Sequence, residues 1–246
     1  MLNLIKRAWN SKAVGVSAAV VLVLALGAVI LAIVLSFTAP VKPNSPTPQP
    51  SEAAPVRTTA PTADAGACNV PVGDTSFRPK LPTDLRWAAS HGLTWPVSAT
   101  AGPTKTKDGF PVCFARSPLG AALAGTNVLY ASWTGDAHAA MDFYAIDSPG
   151  KVALKKLSVV DNAQKLAQSG WTAAGFMVDS FTVDEAQVTV VFSTPGTQSG
   201  YTGFPLTLNW TGGDWRLKLL DNGNTSAGGP SAPVKGQFVE WAGSNG

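Results

Sequence analysis

Phe204-Pro205-Leu206-Thr207-Leu208-Asn209-Trp210-Thr211-Gly212-Gly213-Asp214-Trp215-Arg216-Leu217-Lys218-Leu219 sets apolar residues at every second position. Phe204, Leu206, Leu208 and Trp210 alternate with Pro205, Thr207, Asn209 and Thr211; Gly212-Gly213-Asp214 then turns the chain, and Trp215, Leu217 and Leu219 alternate with Arg216 and Lys218. A period of two directs successive side chains to opposite faces. The stretch therefore reads as an antiparallel hairpin, Tyr201 to Trp210 and Asp214 to Leu220, with one buried and one wet face. Gly175 to Val183 and Gln187 to Ser193 read as two further strands, with Asp184-Glu185 as the turn between them.

Upstream of these strands the period is helical. Ser117-Pro118 pairs a good N-cap with proline at the first helical position. Behind it Leu119, Ala122, Leu123, Thr126, Tyr130 and Trp133 share one face of a helix spanning 118–133. A second helix is expected to start at Asp136, with Ala140, Met141 and Tyr144 inward, and a third to run near Ser158 to Gln168 and stop at Gly170. Pro82 to Ala89 reads as a short helix, Gly92 to Asp108 as irregular chain, and Phe110 to Phe114 as a short apolar run. Helices first and antiparallel strands afterwards indicate an α+β domain whose helices cover the apolar face of the sheet.

The N-terminal third is of a different kind. Ala13 to Phe37 is an uncharged apolar run of 25 residues. As a helix it would measure about 37 Å, enough to cross a bilayer core with some tilt. Lys6, Arg7 and Lys12 precede it without an acidic residue, and the positive-inside bias then places residues 1–12 in the cytoplasm and the C-terminal domain outside. The run is longer than the apolar region of a cleaved signal peptide. A lipid-attachment reading of Ala65-Gly66-Ala67-Cys68 fails because Cys68 lies far beyond the run and Asp64 stands where an aliphatic residue belongs. Residues 38–66 carry seven prolines among Ala, Thr and Ser and no aromatic residue, which reads as an extended linker. The expected organisation is a cytoplasmic tail (1–12), a transmembrane helix (13–37), a Pro/Thr/Ala-rich linker (38–66) and an exported domain (67–246).

The formal net charge is +3, but residues 67–246 hold 13 Lys/Arg against 13 Asp/Glu, so the excess belongs to the N-terminal tail. That balance gives no support for a nucleic-acid footprint on the domain. The two cysteines, Cys68 and Cys113, both fall in the exported part, where a disulfide is permitted; two free thiols are the alternative. With His91 and His138 far apart, the four residues lack any metal-ligand spacing.

The order of short tail, single span, Pro-rich linker and helices-then-sheet domain resembles the bitopic assembly proteins of conjugative type IV secretion systems. Their exported domain has the nuclear-transport-factor-2-like fold. The stretch Asp108-Gly109-Phe110-Pro111-Val112-Cys113-Phe114-Ala115-Arg116-Ser117-Pro118-Leu119-Gly120-Ala121-Ala122 is similar to a segment of membrane-anchored proteins of high-GC Gram-positive bacteria, often from mobile elements. The resemblance implies a curved antiparallel sheet, a scaffolding role without catalytic residues or cofactor, and as partners the membrane and other subunits of the apparatus, with self-association left open.

The residues themselves read the same way. His91, in Ser90-His91-Gly92, is expected to cap a helix end, and His138 to lie solvated in a first helical turn. Ser117 lacks the flanking glycines of a nucleophile elbow. Asp136, Asp142 and Asp147 step around a helix and read as a solvated face rather than an acid/base pair. Gly102, Gly109 and Gly120 form no phosphate loop. Trp87 and Trp95 are left as candidates to line a groove. No catalytic, cofactor or metal residue is assigned, and the disulfide pair Cys68 and Cys113 is the one site expected. The leading expectation is a non-catalytic, membrane-anchored assembly component. An exported module binding a peptide, lipid or cell-wall fragment is the alternative, and a wall-active enzyme is the third reading.

Overall fold

In the computed structural model, which describes residues 68–156 and 163–241, the alternation over 201–219 becomes the strands β7 (Tyr201–Thr211) and β8 (Asp214–Lys218). With β5 (Thr172–Phe181), β6 (Glu185–Ser193) and the short β9 (Val239–Glu240) they make an antiparallel sheet in the order β8-β7-β6-β5-β9. Two register shifts in β5, at Ala173/Gly175 and Val178/Ser180, add residues to one side of the ladder and bend it. Phe176, Val188, Val190, Leu206, Leu208, Trp215 and Leu217 line the inner face and are almost wholly buried.

The helix α1 (Pro118–Thr134), N-capped by Ser117, lies against that face. The expected inward residues Leu119, Ala122, Leu123, Thr126 and Tyr130 are buried, but so are most others: fourteen of its 17 residues. A helix apolar on all sides needs cover on all sides. Here the sheet lies on one, and α2 (Ala137–Tyr144, capped by Asp136) and strand β2 (Leu93–Ser98) pack on others. Small residues permit the close approach: a Cβ on Gly125 would lie 3.0 Å from Leu206 Cδ1.

Two readings are corrected. Residues 82–89 form no helix; β1 (Leu85–Ser90) pairs with β2 through a two-residue turn at His91-Gly92, φ 52° and 80°. Two positive φ values match the twist of a tight hairpin, and pairing settles a stretch whose apolar spacing suits either helix or strand. The chain from 92 to 108 is likewise not wholly irregular, since it contains β2 and β3 (Lys105–Lys107), the latter paired with β4 (Phe110–Val112) around Asp108-Gly109. Of the expected 158–168 helix the described part is α4 (Ala163–Gln168), and a further short helix, α3 (Pro149–Leu154), precedes it where none was expected.

After β8 the chain crosses to the outer face of the sheet. Ser231 pairs with Gly203, Phe238 packs on Ala174, Val191 and Tyr201, and Trp241 turns into the inner core against Phe176. Among the described residues no helix is long and apolar enough to cross a membrane. The expected tail 1–12, span 13–37 and linker 38–66 lie outside the described residues.

Candidate functional site

Cys68 and Cys113 form the expected disulfide, with Cα atoms 5.0 Å apart. Cys113 sits in the left-handed region at φ 70° and is held there by a residue that sequence patterning reads only as part of a turn. The carboxylate of Asp214, 4% exposed, accepts the N–H groups of Cys113 (2.7 Å), Phe114 (3.1 Å) and Trp215 (3.0 Å). Burial pushes its pKa up, against the downward pull of those donors. One residue further, the Trp215 indole donates to Ala115 O, so residues 113–115 are fastened to the β7–β8 turn. Tyr144 donates to Pro111 O nearby, and burial followed by the Asp214 charge raises its pKa. This network fixes backbone and presents no open face to a ligand.

The polar residues singled out from sequence are scattered. His91 is an exposed residue of the β1–β2 turn, not a helix cap, and His138 is exposed on α2. Ser117 and Asp136 are N-caps, accepting from Gly120 N and Ala139 N. Asp142 pairs with Lys155 and Lys151, and Asp147 with Lys151; hydrogen bonds from Lys155 and then Lys151 hold the Asp142 pKa down. Asp184 pairs with Arg116, whose guanidinium lies 5.2 Å from the Trp210 ring centroid, and Glu185 pairs with Lys218. Trp95 stacks on Tyr130 at 5.0 Å, and with Trp87 it packs against the main core instead of lining a groove. Among the described residues no three metal-ligating side chains cluster.

A recess of about 430 Å³ does open elsewhere, between the edge of β7 and the loop after β8. β8 pairs with β7 only as far as Thr207, and Ser231 returns to pair at Gly203. Between those points Phe204 and Pro205 face the loop 224–230 across a gap. Main-chain hydrogen bonds at Leu220–Asn224 and at Gly203–Ser231 hold the two ends of the loop. Phe204 also belongs to a cluster with Trp133 (5.8 Å), Trp171 (6.1 Å) and Phe192 (5.7 Å). Sequence reading missed this recess, because Asn222 to Pro230 carries no periodicity; Pro205 inside a strand pattern, a residue confined to edges and gaps, was the available signal.

Fold and site together define an α+β domain, a buried helix on a bent antiparallel sheet, stapled by one disulfide and bearing an edge recess. Residues 48–239 match the family described as a domain of unknown function (DUF8175), and the chain belongs to that family. No curated protein and no solved structure matches the chain.

Proposed function

We propose that this chain is a non-catalytic, membrane-anchored component of a conjugation or secretion apparatus, with its α+β domain exported. The observation that carries the reading is the Cys68–Cys113 disulfide, which secures the start of the domain just downstream of the Pro-rich linker and the apolar run. Disulfides persist in oxidising compartments, so the bridge supports placement outside the cytoplasm, in agreement with the Lys6/Arg7/Lys12 asymmetry. The order of elements and the helix bedded on a bent antiparallel sheet support assignment of the domain to the nuclear-transport-factor-2-like type.

In intact cells, a membrane-impermeant thiol reagent applied after reduction labels both cysteines; labelling only after lysis overturns the orientation. Deleting the gene abolishes transfer or secretion and leaves cytoplasmic DNA nicking intact, and a soluble fragment from residue 67 onward fails to restore it. Rescue by that fragment favours the second reading, an exported binding module, which the recess beside Phe204 supports.

A further inference from the structure

We infer that the recess between Phe204-Pro205 and the loop 224–230 binds a neutral saccharide. The first argument is charge: no Asp, Glu, Lys or Arg lines it, so a charged ligand would lose its hydration without finding a partner. The second is the mix of surfaces. Phe204 and Pro205, both half-buried, supply apolar surface, whereas Asn224, Thr225 and Ser226 bring an amide and two hydroxyls that both donate and accept. One apolar platform with a few converging neutral polar groups suits a sugar ring, which has C–H faces and a hydroxyl rim.

Competing occupants fit less well. An extended peptide adds to a sheet by pairing with edge N–H and C=O groups. Gly203 bonds Ser231 and Trp210 bonds Asp184, so odd-numbered residues of β7 direct their main-chain groups to this edge. Pro205 is the edge-facing residue within the gap, and it has no N–H to give. A lipid chain would meet the amide and hydroxyl groups of Asn224, Thr225 and Ser226. The volume of about 430 Å³ is of the size that small-molecule sites take, and it accommodates one or two sugar rings. Gly228 borders the opening, and a Cβ added there meets no atom within 4 Å, so a larger side chain is accommodated at this border without a clash.

The test is titration calorimetry of the full chain in a detergent without a sugar headgroup, with N,N′-diacetylchitobiose as the probe and a peptide of residues 38–66 as the comparator. The disaccharide is expected to bind saturably. Gly228→Leu and, separately, Asn224→Ala are each expected to weaken it by about tenfold or more, with the melting temperature unchanged for at least one of them. No saturable binding up to about 10 mM, binding equal in wild type and both variants, or binding of the peptide alone would each overturn the inference. The readout involves no transfer or secretion, so its failure is separate from failure of the assembly reading.

Discussion

Asp214 holds the buried N–H groups of Cys113 and Phe114, donors that no solvent can satisfy if the carboxylate is removed. Asp214→Ala is expected to cost about 2–4 kcal/mol, lowering the melting temperature by roughly 5–15 °C for a domain of this size, as followed by circular dichroism. Asp214→Asn keeps one acceptor oxygen and removes the buried charge, so its loss is smaller. Two aspartates give the pH dependence opposite signs. Burial raises the Asp84 pKa, but hydrogen bonds from Ser98 and Thr100 outweigh it and leave the value below 3.8. That stabilisation is present above the unfolded pKa and is lost as pH falls through the folded one. For Asp214 the folded pKa lies above 3.8, so its contribution is full at low pH and is lost as pH rises through the folded value. Melting temperatures between about pH 5 and pH 3 are therefore expected to fall less steeply in Asp84→Asn and more steeply in Asp214→Asn than in wild type. A turn reading of Gly212-Gly213-Asp214 was legible, but the burial of its carboxylate was not. Two of its donors lie about a hundred positions upstream and arrive only by folding.

β9 is two residues long, and its place depends on a glycine in the neighbouring strand. A Cβ on Gly175 would lie 2.2 Å from Val239 O and 2.5 Å from the Phe238 ring, so Gly175→Ala is expected to detach Val239–Glu240 from β5 and release Phe238 and Trp241. Limited proteolysis with mass spectrometry reads this directly: cleavage between 225 and 241 appears in the variant under conditions that leave the wild type intact. Unchanged proteolysis would mean that β5 shifts to accept the methyl. The hairpin and α1 were readable in advance because alternation over 201–219 and the Ser117-Pro118 cap are local signals. β1 was misread because Leu85, Trp87 and Ala88 satisfy a helical or an extended spacing equally, and only pairing with β2 decides between them.

The disulfide joins the start of the domain to the segment that Asp214 anchors, closing 45 positions of chain that include both N-terminal hairpins. On the chain-entropy model a loop of that length contributes on the order of 4 kcal/mol. Cys113→Ser, or reduction of the wild type, is expected to lower the melting temperature by roughly 5–15 °C, measured in parallel thermal scans with and without reductant; an unchanged transition would mean that the bridge constrains neither state. The local periods along the chain determine the α+β class, the strands β5 to β8, the helices α1 and α2 and the neutrality of the domain, because each depends on residues within a few positions of one another. The cysteine count permitted the bridge. Folding alone decides the rest: the burial of α1 on nearly every side, the return of 231–238 across the outer face, the three N–H groups on Asp214 and the recess beside Phe204. Each brings together groups far apart in the chain, and no local pattern encodes contacts that exist only once the sheet has bent around its helix.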